Sequence, residues 1–187
     1  MWDKNACSTV EACGDNYGRA LSSLALLLPL IAVRSPVLVT HLIALTATSV
    51  WYWYQSSFAS HVADGLLVAT LPYAILVHIK GQTAYYAYVL AWAFYLILGE
   101  CHAVGEVANV PSYVGYAVVT IVVVTELRSL PLLFGAVVTG VGAALLLLET
   151  AMEWGTLTWC VGGFDNICVG HILAGISLLC LVMSVAN

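Results

Sequence analysis

Charge is what this chain has least of. Of its 187 residues 8% are charged and 62% are hydrophobic, where an ordinary soluble domain carries roughly 25% charge. So few charged groups cannot cover a water-soluble fold of that size. Basic residues are the scarcest, five Lys and Arg against ten Asp and Glu. They form no cluster, so nothing neutralises a phosphate backbone, and nucleic acid is excluded as a partner. Alternation of apolar and polar residues is also missing. Since every backbone group in a bilayer must be paired, continuous apolar runs mean helices and not a closed barrel. The first run, Leu21 to Val33, has no short basic leader before it. An acidic, cysteine-containing segment stands there instead, and the run reads as a retained helix and not a signal peptide. The last apolar run holds no lysine for a retinal Schiff base, and no pair of matching broken segments suggests a solute carrier.

What is present is a series of seven apolar runs: Ala20 to Val33, Val37 to Tyr54, Gly65 to Ile79, Ala84 to Leu98, Tyr113 to Thr125, Leu132 to Leu148 and Cys168 to Val185. The expectation is an all-α, polytopic integral membrane protein: an N-terminal arm over 1–19 and one seven-helix transmembrane domain over 20–187. Seven crossings put Arg34, Lys80 and Arg128 in three short turns on one face, while the loops of the other face carry no Lys or Arg. The positive-inside rule makes the first face cytoplasmic. The N-terminus is then extracytoplasmic and the C-terminus cytoplasmic, with Lys4 and Arg19 on the arm dissenting.

Cysteines and ionisable groups gather on the extracytoplasmic side. Cys7, Cys13, Cys160 and Cys168 fall where disulfides persist. The simplest pairings are Cys7 with Cys13 and Cys160 with Cys168, although spacing alone does not settle connectivity and Cys101 lies at the same level. Cys180, mid-helix, reads as a packing residue. At this level also lie His61 and Asp64, Glu100, His102 and Glu106, Glu149 and Glu153, and Asp165 and His171. Histidine and carboxylates from several helices at one depth have the composition of a zinc site, where bound water becomes a nucleophile near neutral pH. The plainer alternative is that these groups end helices at the headgroup level. His41 and His78 lie towards the opposite ends of their helices and cannot join that site. Trp51, Tyr52, Trp53, Tyr54, Trp154 and Trp159 read as an interfacial aromatic belt. Small residues from Gly135 to Ala144, and Gly170, Ala174 and Gly175, allow close helix packing.

Ser57-x3-His61 with Asp64 three residues on, a Glu ending the sixth run, and Asp165-Asn-Ile-Cys-Val-Gly-His171 opening the seventh together resemble the CREST superfamily of seven-helix proteins. With Leu21-Ser-Ser-Leu-Ala-Leu, the pattern is most similar to the myomaker-like branch. The resemblance implies His61 as a second-helix zinc ligand, His171 as a seventh-helix ligand, and Ser57 and Asp64 as supporting catalytic residues. The family's other seventh-helix histidine falls on Ile167, which cannot bind metal. Two readings follow. Either a carboxylate such as Glu149, Glu153, Asp64 or Asp165 completes a two-histidine zinc site of a lipid ester or amide hydrolase, or the fold persists without the chemistry. In the second case the chain is a structural or membrane-remodelling subunit of a larger membrane assembly. Membrane lipids and other membrane subunits are the expected partners in either case.

Overall fold

A computed structural model describes residues 16–55, 57–98, 110–151 and 165–185. Among the described residues there are seven α-helices and no strand: α1 (Asn16–Ser23), α2 (Pro36–Tyr54), α3 (Phe58–Lys80), α4 (Gln82–Leu98), α5 (Val110–Thr125), α6 (Leu130–Ala151) and α7 (Asn166–Val185). A 3-10 segment, Leu24–Ile31, continues α1. Six of the seven apolar runs lie within one helix each, and the first runs two residues past the end of its helical stretch at Ile31. Pro36–Tyr54, Val62–Lys80 and Asn166–Val185 are long and apolar enough to cross a membrane.

The first run differs most from a regular helix. Pro29 has no N–H and its ring crowds the carbonyl four residues back, that of Ala25, so α winding is disfavoured there. The chain tightens instead into eight residues of 3-10 helix, a length seldom reached. With its greater rise the two-part stretch measures about 28 Å, close to the ~30 Å of a hydrocarbon core. The carbonyl that Pro29 deprives of its α-helical donor faces Gly175 of α7, where an added Cβ would lie 2.2 Å from Ala25 O. The pattern repeats at Pro72 inside α3, whose ring packs on Gly115 of α5 at 2.9 Å from where a Cβ would stand. Each proline-bearing element is nested against a glycine of a neighbouring helix.

The core follows from these approaches. α7 packs on α1, the 3-10 segment, α5 and most extensively α6, while α3 packs on α2, α4 and α5. Leu38 and Leu42 of α2, Ala74 and Ile75 of α3, Val119 and Val123 of α5 and Leu178 and Val182 of α7 form one buried cluster. Leu26, Leu45 and Leu67 form a second. The small residues of α6 serve this packing: Gly140 sits over Ser177, which donates to Ala136 O across the α6–α7 seam at 2.7 Å.

The outer surface is the reverse of a soluble one. Ile31 (79% exposed), Tyr86, Leu90, Phe134 and Leu145 point outward, and exposed apolar surface of this kind would drive association in water. Helix hydroxyls turn back on their own backbone: Thr46 donates to Leu42 O, Thr70 to Leu66 O, Thr120 to Tyr116 O and Thr139 to Gly135 O. Such self-satisfaction suits surroundings without water.

Candidate functional site

Ser57, His61 and Asp64 are brought to the start of α3 and not to the end of α2. The reason is local. Ser57 adopts an extended backbone and caps the new helix: its Oγ accepts the Ser60 N–H at 3.1 Å, and the Ser60 Oγ accepts the Ser57 N–H at 3.0 Å. This reciprocal box occupies Ser57 with capping. His61 belongs to the first turns of α3, and its side chain lies outside the described residues. Asp64 accepts a short hydrogen bond from Ser49 of α2, which ties α2 to α3 at this level.

The best-built polar site is elsewhere, where α1, α2 and α7 meet. Asp165 immediately precedes α7, and its Oδ1 accepts the Cys168 N–H at 3.1 Å, as an N-cap carboxylate does. Its Oδ2 receives Arg19 Nε at 2.7 Å and Arg19 Nη2 at 2.5 Å. Both partners are buried, Arg19 6% and Asp165 7% exposed. The Arg19 guanidinium also lies 4.9 Å from the Trp53 ring centroid, adding a cation–π contact from α2. Burial works to raise the Asp165 pKa, and the Arg19 hydrogen bond, the Cys168 N–H and the Arg19 charge together outweigh it, holding the carboxyl below its ordinary range.

One turn into α7, His171 faces the same helix. Its Nδ1 lies 2.9 Å from Ser22 Oγ and 3.4 Å from Ser23 Oγ, while both hydroxyls lie within donating distance of Arg19 O, at 2.8 and 3.0 Å. The Trp53 ring meets His171 edge-on at 6.0 Å. A serine hydroxyl that donates to Arg19 O leaves its oxygen to accept from His171, so the network closes with an Nδ1–H tautomer. Arg19, Ser22, Ser23 and Trp53 were not among the expected site residues. The available signal was Arg19 itself, a charge flanking an apolar run.

Among the described residues, no group of three His, Cys, Asp or Glu is placed to hold a metal ion. Asp165, one of the carboxylates offered as a replacement ligand, is neutralised by Arg19 and bonded through both oxygens. The side chains of His61 and Glu149 lie outside the described residues, as do Glu100, His102, Glu106 and Glu153. Cys7, Cys13, Cys101 and Cys160 lie outside them too. Cys168 is buried and Cys180 half-buried, neither in a disulfide with a described residue. Ile167 is buried in the α7 packing, with 6% exposure.

The aromatic belt divides. Trp51 and Tyr54 are exposed, whereas Trp53 turns inward over Arg19. His41 is likewise engaged. Its Nε2 lies 2.9 Å from Leu67 O, which accepts only, so Nε2 donates and Nδ1 accepts from Tyr88 Oη at 3.2 Å. Neither nitrogen remains for a porphyrin or pigment. No family model, curated protein or solved structure matches the chain.

Proposed function

We propose that this chain is a multi-pass, seven-helix membrane protein of CREST-like build, and that its extracytoplasmic polar centre locks helices together instead of holding a catalytic metal. It serves as a structural or membrane-remodelling component. The observation that carries this reading is the engagement of Asp165 and His171, the two α7 residues a metal site would draw on, by Arg19 and Ser22 of α1. The proposed orientation places the N-terminus outside the cytosol and the turns bearing Arg34, Lys80 and Arg128 inside. Arg19 no longer dissents, since it sits in α1 and Asp165 cancels its charge.

A second reading keeps one observation in its favour. Metal-binding histidines fix one ring nitrogen on a neighbouring group and ligate through the other, and Ser22 holds His171 by Nδ1. In that reading His61 and a carboxylate such as Glu149 complete a two-histidine zinc set for lipid ester or amide hydrolysis. Elemental analysis of protein purified without chelator separates the two. The lock predicts zinc far below one equivalent in wild type. Near-stoichiometric zinc that disappears in both His61→Ala and His171→Ala would overturn it in favour of the hydrolase.

A further inference from the structure

At the far end of the bundle from Arg19, the turns between the 3-10 segment and α2, between α3 and α4, and between α5 and α6 surround a cavity of about 870 Å³ with the end of α7. Its composition is two-sided. Val33, Val77 and Met183 give it an apolar wall, and Ile31, the most exposed apolar residue named above, continues that wall outward. Arg34, Arg128 and Glu126 also line it. Three of the chain's five cationic side chains collect here, at the end of a protein whose formal net charge is −5.

The charges at this end do not cancel. Lys80 makes a short ion pair with Glu126, both about two-fifths exposed. That contact first, and the Lys80 charge after it, hold the Glu126 carboxyl below its usual pKa, with Arg128 contributing least. Glu126 is thus committed to Lys80. Neither Arg34 nor Arg128 has a hydrogen-bonded carboxylate among the described residues; Glu126 is near enough to Arg128 to feel its charge but is bonded to Lys80. Between them α2 begins at Pro36, and its N-cap Ser35 makes no side-chain capping bond. The first turn of a 19-residue helix therefore presents its positive dipole end to the same cavity.

We infer that this cavity is a binding site for an anionic glycerophospholipid of the cytoplasmic leaflet, its phosphate held between Arg34 and Arg128 and one acyl chain lying along the apolar wall towards Ile31. Guanidinium forks match phosphate oxygens in pairs, and basic pockets between helices at the cytoplasmic level suit such headgroups. The volume falls in the range of small-molecule sites, roughly 300–1,000 Å³. The apolar wall favours a lipid over free phosphate, and two cations in the lining disfavour a lipid that brings its own ammonium. The inference rests on the multi-pass reading, because only a membrane-embedded bundle sets this cavity at headgroup depth.

The test uses the full chain in nanodiscs, which expose both ends to the same lipid, made of phosphatidylcholine with a minor share of phosphatidylglycerol. Lipid retained on the protein is counted by native mass spectrometry. Wild type should retain phosphatidylglycerol in excess of its share. Arg34→Gln with Arg128→Gln should lower that preference on the order of thirtyfold, from about a fivefold contribution per cation near the surface. Glu126→Gln should raise it. Retention unchanged in the double variant, or displacement of the lipid by millimolar inorganic phosphate alone, would overturn the site. Carbonate extraction of the expressing membranes separates this failure from that of the multi-pass reading: a wild-type chain released by carbonate defeats both, and one that stays with the membrane leaves only the lipid site refuted.

Discussion

The two ends of this bundle hold arginines in opposite conditions. At one, Arg19 is buried, paired with Asp165 through two nitrogens and covered by Trp53. At the other, Arg34 and Arg128 border an open cavity, and the nearby ion pair, Lys80 with Glu126, is exposed. The side chain is the same and the solvent differs. A buried charge must be matched on the spot, since its desolvation penalty is several kcal/mol. An exposed one is already stabilised by water and remains available to a ligand. The first end is therefore built for cohesion and the second for recognition.

Removing one partner from each end gives the widest contrast. Asp165→Ala leaves a guanidinium buried without its counter-ion and should cost about 3–5 kcal/mol in thermal or denaturant unfolding in detergent. Lys80→Ala should leave the unfolding midpoint within experimental scatter. Comparable losses at both ends would break the contrast.

Next in size is the seam that carries Arg19. Gly175→Ala would set a Cβ 2.2 Å from Ala25 O, and a backbone carbonyl cannot swing aside as a side-chain tip can. The seam must part, at about 1–3 kcal/mol. Gly65→Ala, at a glycine with nothing within 4 Å of an added Cβ, should not destabilise the bundle. Ser57→Ala removes the α3 cap and should cost about 1 kcal/mol. A loss of much more would point to a role for Ser57 beyond capping.

The smallest effect separates the ends by pH. The Asp165 pKa is depressed on folding, so the stability it contributes is fully present above the unfolded carboxylate value, about 3.9. That stability is lost as pH falls below this value and through the folded pKa. Wild type should weaken over that window more steeply than Asp165→Asn, which has no carboxyl to protonate. Parallel pH profiles would remove Asp165 as the source of the acid sensitivity.

The helices were legible because apolar runs need no tertiary information. Val37 to Tyr54 and Cys168 to Val185 match α2 and α7 to within two residues at each end. Hydropathy places the start of α3 too late because the helix opens at Phe58, behind the Ser57 and Ser60 capping box and seven residues before the apolar stretch, and hydropathy does not register a polar first turn. The polar centre was legible by half. His171 and Asp165 stood out as ionisable groups at a helix start, whereas Ser22 and Ser23 look like ordinary small residues in an apolar run. Their partners are 149 and 148 residues away, a pairing that only the closure of α1 on α7 creates. Hydropathy assigns Arg19 to the arm because the apolar run begins after it. The turn of α1 that contains it is polar on its own and helical through its contacts with α2 and α7.

The central claim, that Arg19 and Asp165 act as one lock between α1 and α7, is tested most directly by a double-mutant cycle on unfolding in detergent with Arg19→Met, Asp165→Leu and both together. The lock predicts that each single change costs about 3–5 kcal/mol while the double returns to within about 1 kcal/mol of wild type, because no unmatched charge remains buried. Single effects that simply add in the double variant would contradict it.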